Sequence, residues 1–252
     1  MNKSMTYQEL NPSEALQSLV HSYWEHVNSS DEPNTMSIAP DSFFKIVLVV
    51  QKQKIVQYFI TGIWTEVHEF TTLPNSKTYG CRLKILAPEF LLERSIVPLL
   101  NTFEPLPLTY LNAENFDFSS FELIVKQLEK ALLSIQPNKK IPDNKERLST
   151  LLYQKNGEIT AKEVSEQIFW TNRQINRYLN KYIGLSLKRY LNIQKIYHAY
   201  IQIRQGKFFP EKDYFDQAHF IREVKKHTGE TPSKLYKEQN DRFIQLKNIQ
   251  PK

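Results

Sequence analysis

The sequence predicts an α+β protein: a small antiparallel β-sheet or partial barrel with helices in the N-terminal part, followed by an all-α C-terminal part. Before about Pro88, short runs of β-branched and aromatic residues alternate with turn residues, a pattern typical of short antiparallel strands. Beyond the proline-containing segment 136–143, apolar residues recur at helical spacing. The 252 residues suffice for two domains, which we expect at 1–135 and 144–252, joined by that linker.

The elements of the N-terminal part are predicted in chain order. Apolar residues Ala15, Leu16, Leu19, Val20 and Tyr23 have helical spacing and predict a helix over residues 13–26. Strands are predicted over residues 36–38, 43–50, 53–60, 63–70 and 80–86, because turn residues separate these runs. An amphipathic helix follows over residues 119–134.

The helical C-terminal part begins with a predicted helix over residues 144–154. Thr160 and Glu163 then form a capping-box pattern, and Thr171 and Gln174 form a second one eleven residues later. Gly184 is placed to end the second capped helix, because glycine favours the left-handed conformation found there. Two short capped helices separated by a tight turn are the layout of a helix-turn-helix, whose second helix enters the major groove of DNA.

The second capped helix has two different faces. Its inward face consists of Ile175, Tyr178, Leu179 and Tyr182. The opposite face carries Arg173, Asn176 and Arg177, and Arg and Asn are the side chains that pair bidentately with guanine and adenine. The alternative is an ordinary solvated polar face of a bundle helix.

Charge is distributed unevenly along the chain. Residues 155–252 hold 19 Lys+Arg and 10 Asp+Glu, a net charge of +9, whereas residues 1–154 hold 14 Lys+Arg and 17 Asp+Glu, a net charge of −3. A basic helical part next to a slightly acidic part indicates an anion-binding module, and a solvated basic surface is the alternative.

Several classes of protein lack support in the sequence. A single cysteine, Cys81, cannot form an internal disulfide or a cysteine-based zinc site, and we expect it to be a small buried hydrophobe. Six scattered histidines predict no metal site, and six glycines leave no glycine-rich phosphate loop. No catalytic triad or carboxylate pair stands out, so neither an enzyme nor a cofactor is expected. The polar N-terminus and short apolar runs predict a cytoplasmic protein.

A longer stretch resembles a known family. Gly184-Leu185-Ser186 leads into a long predicted helix over residues 187–203, and residues 214–233 read YFDQAHFIREVKKHTGETPS. This order of anchors resembles the second helix-turn-helix of AraC-type (AraC/XylS) transcription regulators. More weakly, Tyr23-Trp24, Ala39-Pro40-Asp41 and Gly80-Cys81-Arg82-Leu83 are similar to the sensor half of a subgroup of this family.

The resemblance implies a regulator that binds double-stranded DNA through two helix-turn-helix units joined by a long helix. Arg173, Asn176, Arg177 and, in the second unit, Arg222 would contact bases, and Thr171, Lys188, Arg189 and Lys225 would contact the DNA backbone. Further implied partners are RNA polymerase, a small-molecule effector in the N-terminal part and a second copy of the chain. Whether the regulator activates or represses is not implied.

One segment departs from the family pattern. The family places a scaffold helix before the second recognition helix, whereas residues 207–213 (KFFPEKD) contain Pro210 and are too short for it. We therefore expect a shortened second unit that assists the first. The alternative function is a degenerate, regulator-like binding module that acts through protein contacts without specific DNA binding. A third is a small-molecule-binding protein with an incidental basic tail. In the N-terminal part, six aromatic residues are candidates either for the lining of a ligand pocket or for ordinary core: Trp24, Phe43, Phe44, Tyr58, Trp64 and Phe70.

Overall fold

The computed structural model describes residues 5–137, 139–204, 206 and 217–237, and its N-terminal part is built on antiparallel strands. The strands are β1 (Met5–Leu10), β2 (Val20–Asn28), β3 (Asn34–Ile38), β4 (Phe44–Gln51), β5 (Lys54–Thr61), β6 (His68–Thr72), β7 (Ser76–Leu83) and β8 (Phe103–Pro105). Six of them form one sheet in the order β1-β2-β7-β4-β5-β8, and β3 and β6 form a separate two-stranded ribbon. The predicted α+β class is confirmed.

The predicted helix over residues 13–26 is wrong. Residues 14–19 are turns, and β2 begins at Val20 and pairs with both β1 and β7. Leu16 and Leu19 lie in these turns and are fully buried. Turns that lead into a strand can therefore place apolar residues at the same spacing as a helix. The predicted strand over residues 63–70 is also displaced, because only the β6 range pairs, with β3.

One face of the six-stranded sheet forms the main hydrophobic core with the helices. Ile46 and Cys81 are fully buried there, and the rings of Tyr79 and Phe118 stack with centroids 5.8 Å apart. Burial raises the pKa of the Cys81 thiol, so the thiol stays neutral and packs as a small hydrophobe, as predicted. The opposite face of the sheet lines a cavity beneath the β3–β6 ribbon.

The helices of the described residues begin after β7. They are α1 (Ala87–Phe90), α2 (Phe121–Ile135), α3 (Asp143–Lys155), α4 (Ala161–Ile168), α5 (Asn172–Ile183), α6 (Leu187–Arg204), α7 (Gln217–Thr228) and α8 (Pro232–Lys237), with 3-10 segments at Val97–Leu99 and Tyr110–Asn115. Helix α2 ends at Ile135 and α3 begins at Asp143, so the predicted linker coincides with the connection between them. The division into two domains stays a prediction.

A buried hydrogen-bond network joins α3 and α6 to the strand-rich part. The Tyr190 hydroxyl of α6 lies 3.2 Å from the Ser42 carbonyl oxygen and 2.8 Å from the Tyr153 hydroxyl of α3. The Tyr153 hydroxyl in turn accepts the Ile85 backbone N–H at 3.0 Å. The main core is continuous across this junction, because it includes buried residues of α3, α4, α5 and the first half of α6.

Tyr190→Phe tests how much this network contributes to stability. The ring is fully buried, so the substitution keeps the packing and removes the hydroxyl that contacts Ser42 and Tyr153. We expect a loss of about 1–3 kcal/mol in the free energy of unfolding, measured by urea denaturation. Tyr110→Phe, at a half-buried ring outside the network, is the control. Equal losses in both variants would show that the network adds nothing.

Candidate nucleic-acid interface and interior cavity

Helices α4 and α5 form the helix-turn-helix that the sequence predicts, and both capping boxes are present. The Thr160 hydroxyl accepts the Glu163 N–H at 3.2 Å, and the Thr160 N–H donates to the Glu163 carboxylate at 2.7 Å. Thr171 and Gln174 repeat this pattern at 3.3 and 2.8 Å. The end of α5 also agrees, since Gly184 has a φ of +75°. Capping fixes the start of α5 to one residue.

The turn between the two helices has an unusual residue. Phe169 ends α4 in the left-handed region, at φ +57° and ψ +33°, and its side chain is 82% exposed. A bulky side chain is costly in this conformation, and here it gains little burial in return. The neighbouring Trp170 instead packs edge-on against Tyr178 of α5, with ring centroids 5.9 Å apart, which anchors the turn to the second helix.

Helix α5 presents the two faces that its sequence predicts. Ile175, Tyr178 and Leu179 are buried, and Tyr182 is half-buried. Arg173 and Arg177 are exposed, four residues apart on one side of the helix. Arg177 also lines a shallow groove, together with Gln174, between α5 and the side chains of Glu89 and Lys145. The two arginines therefore reach solvent from a rigid, capped helix.

Asn176 has a different environment from the two arginines. Its side-chain amide donates to the Asn172 carbonyl at 2.8 Å, and its Oδ1 accepts the Leu187 N–H at 2.9 Å. Leu187 is the first residue of α6, whose first N–H groups have no partner within the helix. Asn176 thus links α5 to the start of α6. A DNA base could hydrogen-bond to the Asn176 amide only by displacing one of these two partners.

The expected backbone-contacting residues of the first unit fall into two groups. Thr171 is engaged in its capping box, and Lys188 is exposed on the first turn of α6. Arg189 instead donates to the Thr65 hydroxyl at 3.0 Å, across 124 positions of sequence. Asn101 fixes that hydroxyl, because its amide donates to Thr65 Oγ1 at 2.9 Å. Arg189 is therefore held against the strand-rich part.

The strand-rich part also caps the end of α5. The Ile96 N–H donates to the Tyr182 carbonyl at 2.9 Å, and the Ser95 hydroxyl donates to the Lys181 carbonyl at 2.9 Å. These carbonyls have no partner within the helix, so the contact satisfies them. A salt bridge of 2.6 Å between Lys145 of α3 and Glu89 of α1 closes the same junction.

The second unit is described in part. Phe220 and Val224 of α7 are fully buried and pack against Ile196, Tyr200 and Ile203 of α6 in a second core cluster that also contains Ala39 and Leu235. Arg222 and Lys225 are exposed on α7, and Gly229 ends that helix with a φ of +77°. The shortened segment 207–213 lies outside the described residues, as does Asp216, whose position before α7 predicts a helix cap.

A cavity of about 740 Å³ lies between the six-stranded sheet and the β3–β6 ribbon. This volume is in the range of small-molecule sites. Of the six aromatic residues predicted as pocket or core, Trp24, Tyr58, Trp64 and Phe70 line it. Phe44 lies in the main core instead, and Phe43 stacks on His21 and Tyr153. The ring of Trp24 packs closely against Gly80, where an added Cβ would approach it to 2.1 Å.

One end of the cavity contains two buried cations side by side. Lys45 of β4 is directly opposite Arg82 of β7 in the strand register, an unfavourable arrangement for like charges. Each has a carboxylate partner: Lys45 Nζ lies 2.8 Å from Asp41, and Arg82 lies 2.9 Å from Glu9. Burial lowers the pKa of Lys45, and the Asp41 carboxylate opposes that shift.

Five buried polar atoms that belong to cavity-lining residues have no hydrogen-bond partner in the part of the chain that the structure describes. Buried polar groups are nearly always paired, so five unpaired atoms in the walls of one cavity are unusual. They are Trp24 Nε1, Asp41 Oδ2, Thr61 Oγ1, Thr78 Oγ1 and Arg82 Nε. The only sequence signal for this end of the cavity is that Asp41 and Arg82 belong to two of the three family-like stretches.

Within the described ranges, no group of three or more His, Cys, Asp or Glu side chains is arranged to hold a metal ion. None of the helices in that part of the chain is both long and apolar enough to cross a membrane.

Asn176→Ala tests the link between α5 and α6. Because both ends of the amide are engaged, we expect a loss of about 1 kcal/mol or somewhat more in the free energy of unfolding, measured by urea denaturation. Arg173→Ala, at an exposed position of the same helix, should change stability by less than about 0.5 kcal/mol. Similar values for the two variants would contradict the structural role of Asn176.

Comparison with known proteins gives the following similarities. A family model described as a domain of unknown function (DUF6597) matches residues 8–104, and a search of curated proteins finds no match. The chain is similar to a 1.65 Å structure of ToxT from Vibrio cholerae, with 10% identity and a TM-score of 0.45 over 93% of this chain and 98% of that one. It is also similar to a structure of ToxT from Vibrio cholerae bound to (E)-4-(8-methylnaphthalen-1-yl)but-3-enoic acid, with 12% identity and a TM-score of 0.45 over 94% of this chain and 100% of that one. A third similar structure is unsaturated fatty acid-bound wild-type ToxT from Vibrio cholerae, with 10% identity and a TM-score of 0.38 over 93% of this chain and 95% of that one.

Proposed function

We propose that this chain is a transcription regulator of the AraC type that binds double-stranded DNA through α4 and α5. The observation that carries the proposal is the pair of exposed arginines, Arg173 and Arg177, on the outward face of a capped second helix whose other face is buried. The guanidinium group pairs bidentately with guanine in the major groove. A rigid helix that projects two such groups four residues apart suits base recognition.

The remaining residues of the first unit take different roles in this proposal. Thr171 and the N-terminal amides of α5 would contact a phosphate, and Lys188 would add a charge contact next to them. Asn176 would orient α5 relative to α6 and so act on recognition indirectly. Arg189 would reach a phosphate only after its bond to Thr65 opens.

A second contact would come from Arg222 and Lys225 on α7. Helix α6 has 18 residues and so spans about 27 Å, and α7 packs against its second half. With the width of the two reading helices added, this spacing is compatible with successive major grooves, which lie about 34 Å apart on one face of DNA. The contribution of the shortened segment 207–213 stays a prediction.

The cavity is the proposed site of a small-molecule effector. Its size, its mostly apolar lining and its buried unpaired polar atoms are the features of a ligand site. RNA polymerase and a second copy of the chain stay predicted partners.

One observation favours the alternative function, a regulator-like module that acts through protein contacts. Asn176 and Arg189, two of the residues expected at the DNA, are engaged within the chain. In that case the exposed Phe169 would be a natural part of a protein interface, because exposed aromatic residues are enriched at such surfaces.

Arg177→Ala separates these two functions. Selection of bound genomic fragments with the full chain would identify a specific site, and electrophoretic shift would then compare that site with random DNA. We expect the variant to lose roughly 1–3 kcal/mol of discrimination between the two DNAs. Arg147→Ala, at an exposed arginine of α3, is the control of equal charge and should keep discrimination. If wild type retains no specific fragment at any salt concentration, the protein-contact function is favoured.

Thr65→Val tests whether the Arg189 contact competes with DNA. The substitution keeps the shape of the side chain but removes the hydroxyl that accepts from Arg189. A released Arg189 should bind one more phosphate, so binding to random DNA strengthens and the slope of log affinity against log salt steepens by about one. Thr65→Ser keeps the hydroxyl and should behave like wild type. Identical slopes for all three proteins would exclude Arg189 from the phosphate contacts.

A further inference from the structure

The polar end of the cavity is electrically balanced. Four ionised side chains meet there, two positive (Lys45 and Arg82) and two negative (Asp41 and Glu9), and each cation is paired with one carboxylate. The guanidinium of Arg82 also donates to Ser22 and Tyr7, both at 3.1 Å. Among the described residues, the other titratable side chains that line the cavity include the imidazoles of His26 and His68, and Glu69, which is exposed and so screened by water. The buried cations therefore do not lack a counter-charge.

The unpaired atoms at the cavity are of both hydrogen-bonding types. Arg82 Nε and Trp24 Nε1 are donors, Asp41 Oδ2 is an acceptor, and the Thr61 and Thr78 hydroxyls can act as either. Lys45 lies opposite Thr61 on β5 and opposite Arg82 on β7, so a polar row crosses three neighbouring strands. A ligand head that can both accept and donate would suit this mixed set of groups.

The rest of the cavity lining is mostly apolar, but it also includes His26, Gln57, His68, Thr71 and Thr72. Three of its lining residues, Val56, Phe103 and Leu108, are 46%, 54% and 45% exposed, which marks where the cavity opens to solvent. Large exposed hydrophobic side chains at a cavity mouth offer a surface for an apolar body. The cavity therefore offers large apolar side chains at its mouth and buried charged and polar side chains at its interior end.

Resting on the proposed effector function of this cavity, we propose that it takes an uncharged amphipathic molecule, with an apolar body and a head that carries both a hydrogen-bond donor and an acceptor. A primary amide or an alcohol has such a head. A carboxylate would enter a balanced cluster with an uncompensated charge and could not donate to Asp41 Oδ2. An ammonium group would add the opposite charge and could not accept from Arg82 Nε or Trp24 Nε1.

Binding of a matched series of compounds with a ten-carbon chain to the full protein, without DNA, tests this proposal. The series is decanamide, decanoate, decylamine and methyl decanoate, and the readouts are isothermal titration calorimetry and tryptophan fluorescence, since Trp24 and Trp64 line the cavity. Decanamide should bind most tightly, by about tenfold or more over decanoate and decylamine. The ester, which only accepts, should bind more weakly than the amide. Tighter binding of decanoate, or binding of none of the four, would overturn the proposal.

Charge variants sharpen the test. Asp41→Asn removes one carboxylate and leaves a net positive cluster, so the preference should shift toward decanoate. The double variant Asp41→Asn/Lys45→Met restores the balance and should return the preference to decanamide; buried ion pairs often tolerate joint replacement, so it also guards against misfolding of the single variant. Glu166→Gln, an exposed position paired with Lys162, is the control. An unchanged preference in Asp41→Asn would contradict the role of charge balance.

The regulator function is judged by a different measurement. If the chain binds decanamide selectively but retains no specific DNA, the proposed regulator function is wrong and the proposed ligand class stands. If the chain binds a specific DNA site but shows none of the expected ligand preference, only the proposed ligand class is wrong.

Discussion

The contact of the Tyr190 hydroxyl with Ser42 and Tyr153 fixes how the helical part sits on the sheet. It is a buried polar contact between two elements 148 positions apart, and a buried hydroxyl left without partners would be costly. Because Tyr190 lies on the first turns of α6, the contact sets the position of that helix. Asn176 then carries the position on to α5, through the N–H of Leu187. The orientation of Arg173 and Arg177 thus depends on a hydrogen-bond network that neither arginine contacts.

The same junction lies directly behind the cavity. Asp41 lines the interior end of the cavity, and the next residue, Ser42, meets Tyr190 of α6. The arrangement recurs one segment later, where Trp64 lines the cavity and Thr65 accepts from Arg189. The backbone at residues 41–42 and at residues 64–65 therefore separates the cavity from α6 and contacts both. A ligand that shifts either stretch needs no long pathway to reach the helix that carries both reading units.

Local patterns predicted the helix-turn-helix well, because capping boxes and a terminal glycine are read from residues close in sequence. Thr171, Gln174 and Gly184 define α5 without reference to the rest of the fold. The roles of Asn176 and Arg189 could not be predicted in this way. Their partners lie 11 and 124 positions away, and helical spacing only says that a side chain is outward, not what it meets. The helix expected before β2 failed for the same reason, since pairing with β1 and β7 overrode local spacing.

The cations of this chain fall into two groups with different physical behaviour. Lys45 and Arg82 are buried beside carboxylates, where salt screens them little, and their energies depend on charge balance and desolvation. Arg173 and Arg177 are exposed, where their attraction for a phosphate backbone is screened strongly by salt. Ionic strength should therefore act on the helical surface and barely on the cavity. Arg189 stands between the two groups, because it is exposed but held by a neutral hydroxyl, a bond weak enough for a phosphate to replace.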